Sequence, residues 1–104
     1  MGRAMHVISQ KMLRQFWADH PDAEEPLRAW HRTVEAAEWD KFADLRQVYP
    51  NADQVGRCIV FNIGGNKYRL IAAVHFNRRK VFVLAVLTHK VYDQGKWKDE
   101  FGCC

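Results

Sequence analysis

The sequence predicts an α+β domain: an N-terminal strand, a helical hairpin and a short helix, packed on one face of a small, mainly antiparallel sheet. Three observations predict it. Cys58 to His89 reads as three consecutive apolar runs separated by turn formers. Between Ser9 and Pro50, apolar side chains recur at steps of three and four. A length of 104 residues with 48% hydrophobic residues suits one domain with its own core.

His6-Val7-Ile8 reads as the short first strand. Ser9 suits the N-cap of the helix that follows, because its hydroxyl can accept from an orphan N–H. Met12, Leu13, Phe16 and Trp17 give that helix one apolar face. Pro21 stops it, and His20 falls in its last turn, where the helix dipole favours a cation. Asp22 and Glu25 have the spacing of a capping box for a second helix. Pro26 falls in its first turn, where proline is tolerated. Leu27, Trp30, Val34 and Ala37 form its stripe, so the two closely linked helices make an antiparallel hairpin. Trp17 and Trp30 read as core contacts, and His31 and Arg32 fall off the stripe into solvent. Asp40 suits the cap of a third, short helix with Phe42, Leu45 and Val48 facing the core. Pro50 closes that helix, and residues 51–56 read as a loop.

The three apolar runs are rich in Val, Ile, Phe, Tyr and Leu, which fit a pleated surface. Gly64-Gly65-Asn66 supplies the first turn, where these residues tolerate positive φ. Asn77-Arg78-Arg79-Lys80 supplies the second. In the middle strand Tyr68, Leu70, Ala72, Val74 and Phe76 share one face, and Arg69, Ile71, Ala73 and His75 the other. Both faces are largely apolar, so this strand is central, with His75 hydrogen-bonded and partly buried. Pairing Phe76 with Val81 sets Arg69 opposite Thr88 and Tyr68 opposite His89. A guanidinium and an imidazole then converge beside the glycine turn, an arrangement suited to holding a phosphate and moving a proton. The same two residues also read as an edge arginine in a surface ion pair and a solvated strand-end histidine.

Net charge is +4, unevenly spread. Residues 1–56 carry seven Lys/Arg against nine Asp/Glu, and residues 57–104 carry nine against three. A basic sheet half beside a near-neutral helical half points to an anionic partner, most simply nucleic acid. After His89, the bases Lys90, Lys96 and Lys98 interleave with Tyr92 and Trp97. That pattern suits either phosphates and bases or a C-terminal helix whose aromatics pack on the sheet; Trp97 and Phe101 favour packing. No apolar run is long enough to cross a bilayer and no signal peptide is visible, so the expectation is a soluble cytoplasmic protein. Three cysteines do not make a disulfide scaffold. Cys58 reads as a buried thiol. The terminal Cys103-Cys104 pair could be a prenylation signal, but nothing here resembles the phosphate loop of the GTPases that usually carry one. No Cys or His pair has zinc-finger spacing, so no metal and no cofactor is expected.

Met5–Ile8, Val60–Ile71 (V-F-N-I-G-G-N-K-Y-R-L-I) and Thr88–Asp93 (T-H-K-V-Y-D) together resemble the HigB-type toxins of the RelE-like type II toxin–antitoxin group. The resemblance spans Met5 to about Lys98 as one domain, 5–98, leaving 1–4 and 99–104 as short terminal extensions. It implies a RelE-like fold and an endoribonuclease that cuts mRNA on the ribosome and arrests translation. It implies a cognate HigA-type antitoxin, operator DNA bound only through the antitoxin complex, and no membrane partner. The implied chemistry is attack of the RNA 2′-hydroxyl on the adjacent phosphate without a metal. Arg69 would hold the scissile phosphate through its planar fork. His89 would act as base or acid, since an imidazole ordinarily titrates near neutrality. Lys67 and Lys90 would contact phosphate or developing charge, Tyr92 would stack on or orient a base, and Asn66 would contact RNA from the turn. The alternative is a non-catalytic RNA- or ribosome-binding module on the same fold.

Overall fold

The computed structural model describes residues 4–103. Its elements run β1 (His6–Ile8), α1 (Gln10–Asp19), α2 (Glu24–Ala36), α3 (Phe42–Val48), β2 (Asp53–Val55), β3 (Cys58–Ile63), β4 (Tyr68–His75), β5 (Lys80–Thr88), α4 (His89–Asp93) and α5 (Trp97–Glu100). The five strands form one sheet in the order β1-β5-β4-β3-β2. β1 lies parallel to β5, and the other pairs are antiparallel. The α+β class and the central position of β4 are as expected. β2 is an addition: it falls within the stretch expected to be loop and pairs with β3 from Asp53↔Val60 to Val55↔Cys58. Three residues are too few for alternation to mark a strand.

The sheet is covered on both faces. One face carries the main core: Leu13, Leu27, Trp30 and Val34 from the helices meet Phe61, Leu70, Ala72 and Val83 from the sheet. Trp30 stands edge-on to Phe61 at 5.3 Å between ring centroids. Truncating Phe61, which is fully buried, would cost about 3–5 kcal/mol. The other face carries a second cluster of Cys58, Val60, Ile71, Ala85, Trp97 and Cys103. So α1, α2 and α3 cover one side of the sheet, and α5 helps to cover the other.

The caps depart from expectation. Ser9 does stand at the N-cap of α1, but in the left-handed region with φ 80°, and its side chain makes no cap bond. A cap hydroxyl normally reaches its N–H from extended backbone. Asp22 does not cap α2: a 3-10 turn over Pro21–Ala23 intervenes, and Ala23 holds the cap position. The Asp22 carboxylate turns instead to Tyr68 and Lys67 on the sheet. Lys41 rather than Asp40 precedes α3, because Asp40 pairs with Arg79. Val48 is 48% exposed, and Tyr49 takes its place against the core, edge-on to Phe61 at 5.2 Å. His75 is exposed rather than partly buried, with its ring edge-on to Phe82.

Cys58 is buried as expected but is not a free thiol. It is joined to Cys103 in a disulfide across 45 residues of sequence. A cross-link closing a loop of that length stabilises by about 4 kcal/mol in the chain-entropy treatment. The C-terminal stretch set aside as an extension thus contributes a fully buried residue, Cys103, to the fold. Cys104, and with it the prenylation reading, lies outside the described residues, as do residues 1–3.

Candidate active site

The site is built at the end of the β4–β5 hairpin that adjoins the β3–β4 turn. Gly64 and Gly65 both take positive φ, 62° and 71°, which a side chain would strain. A Cβ on Gly64 would also come within 3.7 Å of the Pro26 ring, so this turn packs against the start of α2. The chain then enters β4 through Asn66, Lys67, Tyr68 and Arg69.

The register across β4 and β5 differs from the expected one. His75 pairs with Lys80 and Val74 with Val81, because the second turn is a 3-10 turn over Phe76–Arg78 with left-handed Arg79 behind it. Ile71 then pairs with Ala85 and Ala72 with Val83, so Leu84 bulges out. The bulge takes back one residue of the two-residue error. Arg69 therefore stands opposite Leu87, and Tyr68 opposite Thr88. His89 is not a strand residue at all but the first residue of α4, whose N-cap Thr88 accepts from Val91 N through its hydroxyl.

Arg69 and His89 are nonetheless brought to one place. The guanidinium donates to the carbonyls of Asn66 at 3.1 Å and Tyr68 at 3.2 Å. The His89 backbone N–H donates to the carbonyl of Lys67 at 3.1 Å. One short turn therefore holds both residues by adjacent carbonyls. The His89 side chain is half exposed, with Nδ1 3.1 Å from Asp93 Oδ2 one helical turn on. When that contact is Nδ1–H donating to the carboxylate, Nε2 is left as the acceptor toward solvent.

The remaining expected site residues fall into two groups. Lys90 and Asn66 are exposed beside the pair. Lys67 is exposed too, in an ion pair with Asp22 at 3.1 Å; exposed pairs are worth about 0–1 kcal/mol, so the ammonium is readily recruited by a phosphate. Tyr92 is half-buried and engaged within the protein: Arg69 lies over its ring at 5.3 Å, and the Trp97 ring stacks on it at 5.1 Å. Burial pushes its hydroxyl pKa upward, with Asp53 adding to the effect. Tyr92 is thereby fitted to support the guanidinium, and Trp97 is buried as expected.

Two acids at the site were not read as site residues from sequence. Asp93 sits in the quoted T-H-K-V-Y-D segment, and its spacing of four from His89 was a signal that could have been read. Asp22 accepts from the Tyr68 hydroxyl at 2.5 Å and from Lys67 Nζ. The Tyr68 hydrogen bond, with Lys67 second, holds the Asp22 carboxyl below its ordinary range, and the same bond holds the Tyr68 hydroxyl above its own. A separate cleft of about 200 Å³ between α1 and α2, lined by Leu13, Arg14, Trp17 and Arg28 among others, shares no residue with this site.

A small α+β scaffold with a partly exposed guanidinium beside an exposed imidazole and two exposed lysines at one rim defines a protein built to meet a polyanion. The sequence comparisons narrow the class. The HigB toxin family, described as the RelE-like toxic component of a toxin–antitoxin system, matches residues 23–95, and the chain belongs to that family. It is 35% identical over 92 residues to the mRNA interferase toxin HigB of Escherichia coli (strain K12), covering 86% of this chain and 88% of that one. The mRNA interferase HigB of Shigella flexneri matches to the same extent. The mRNA interferase HigB of Escherichia coli O6:H1 is 26% identical over 93 residues, covering 86% of this chain and 90% of the relative.

Proposed function

We propose that this chain is the toxin of a toxin–antitoxin pair and acts as an mRNA endoribonuclease that arrests translation on the ribosome. The observation that carries the reading is the joint attachment of Arg69 and His89 to the Asn66–Lys67 carbonyls, with Arg69 partly exposed and His89 exposed at the rim. The names of its relatives, mRNA interferases, support it.

The mechanism follows from the donors present. Arg69 takes the scissile phosphate, exchanging carbonyl contacts for two phosphate oxygens. His89 Nε2 accepts the 2′-hydroxyl proton while Asp93 holds Nδ1. The 2′-oxygen attacks phosphorus, the P–O5′ bond breaks with the leaving 5′-oxygen taking a proton from water, and a 2′,3′-cyclic phosphate remains. Lys67 and Lys90 neutralise charge that builds on the phosphorane. The scheme draws its positive charge from side chains and needs no metal. The ribosome would hold the mRNA in line, contributing the positioning that a shallow rim lacks. A HigA-type antitoxin would neutralise the toxin, and that complex, not the toxin alone, would bind operator DNA. The setting proposed is the cytoplasm.

Mapping mRNA 5′ ends after induction tests the reading. New ends within codons are expected with the native chain and not with Arg69→Ala. Translation arrest without any new ends would favour a non-catalytic ribosome-binding module instead.

A further inference from the structure

We propose that Trp97 is a positioning residue for the cleavage site, and that the Cys58–Cys103 disulfide places it under thiol control. This rests on the ribonuclease reading of the same site and extends it to regulation.

The contacts form a continuous path. Arg69 is oriented by two neutral carbonyls and by the Tyr92 ring. Tyr92 is oriented in turn by Trp97, whose ring lies nearly parallel at 17° and whose Nε1–H donates to the Tyr92 carbonyl at 2.9 Å. Trp97 is 2% exposed and packs in the cluster that contains both bonded cysteines. The path from sulfur to guanidinium thus runs through Trp97 and Tyr92.

The segment that carries Trp97 is short. Helix α5 has four residues, far below the length at which a helix is stable alone. Among the described residues, its ties to the rest of the chain include Trp97 Nε1–H donating to the Tyr92 carbonyl, the Arg57 amide donating to the Cys103 carbonyl, and the disulfide. Trp97 and Cys103 both lie beyond the family match, which ends at residue 95. The buttress therefore sits outside the matched segment, behind a site that sits within it.

The redox step is a two-electron exchange with a dithiol. A reductant thiolate attacks one sulfur of the Cys58–Cys103 bond, forming a mixed disulfide and releasing the other as a thiolate. The second reductant thiol closes its own disulfide and leaves. Cys58 and Cys103 end as two thiols, having gained two electrons and two protons, and the dithiol ends oxidised. Both sulfurs are buried, so the exchange requires the C-terminal segment to lift. Once reduced, the segment keeps its packing, the Trp97 Nε1–H bond and the Arg57 amide bond but loses its covalent tie, Trp97 loosens beneath Tyr92, and Arg69 loses its platform.

The test compares oxidised and dithiothreitol-reduced full-length protein at a temperature where circular dichroism finds both folded. Cleavage of mRNA in a translating reaction and amide exchange at Val91, Tyr92, Trp97 and Cys103 are read in parallel. Reduction should slow cleavage about tenfold or more, mostly in kcat, and speed exchange at those four amides. Cys103→Ser should match the reduced protein and ignore reductant. In the oxidised protein Trp97→Phe should keep most activity and Trp97→Ala should lose it. Equal cleavage rates in the two redox forms would overturn the proposal. If neither form cleaves, the ribonuclease reading fails, and amide exchange alone decides the buttress: unchanged exchange on reduction overturns it.

Discussion

Arg69 and Arg79 stand at opposite ends of the β4–β5 hairpin, and their surroundings differ in one respect. Arg79 has a countercharge. It pairs with Asp40 and donates to the Trp39 carbonyl at 2.5 Å, while its own carbonyl receives the His6 amide at 2.7 Å. It clasps the segment between α2 and α3 to the sheet. Arg69 has carbonyls and a ring, and among the described residues no carboxylate pairs with it. A guanidinium matched by a carboxylate holds a fold together. One held only by neutral dipoles keeps its charge for an incoming anion.

The comparison predicts opposite phenotypes. The largest effect belongs to the open end: His89→Gln, which keeps a polar side chain but cannot cycle a proton, should slow cleavage by about 10²–10³ at unchanged stability. At the closed end Arg79→Ala should lower unfolding stability by about 1–3 kcal/mol in urea titrations, with cleavage unchanged while the protein is folded. Asn66→Asp sharpens the contrast by giving Arg69 a nearby carboxylate. It should slow cleavage about tenfold, and an unchanged rate would mean that countercharge is not what separates the two arginines.

Smaller effects are expected around Lys67 and Lys90. The carboxyl of Asp22 is held below the ordinary aspartate range by Tyr68 and Lys67. A depressed folded-state pKa contributes stability that is present above the unfolded value and lost as pH falls through the folded one. Asp22→Asn should therefore flatten the acid limb of the stability curve below about pH 4, and an unaltered acid limb would refute the tie. Lys90→Ala should leave folding intact and reduce the salt dependence of RNA binding by about one phosphate contact.

How much of this was legible in the sequence depends on range. The stripe of Leu27, Trp30 and Val34 and the alternation of Tyr68, Leu70 and Ala72 read correctly, because helix and strand periods are local properties. The meeting of Arg69 and His89 was also legible, since a hairpin returns the chain to its start. Its details were not. The bulge at Leu84 breaks no composition rule, and Thr88 gives no sign from type alone that it caps a helix instead of extending a strand. Asp22 has the spacing of a cap, but Tyr68, 46 residues away, offers its carboxylate a hydroxyl. The Cys58–Cys103 bond was hidden for the same reason, because pairing depends on the distance between two Cα atoms and not on the count of cysteines.

The most direct test is single-turnover cleavage of ribosome-bound mRNA by Arg69→Ala, with the urea midpoint of the same preparation measured alongside. The expected result is a rate at least about 100-fold below that of the native chain at an unchanged midpoint. A native rate from Arg69→Ala, or a slower one fully explained by unfolding, would contradict the assignment of the open guanidinium to the scissile phosphate.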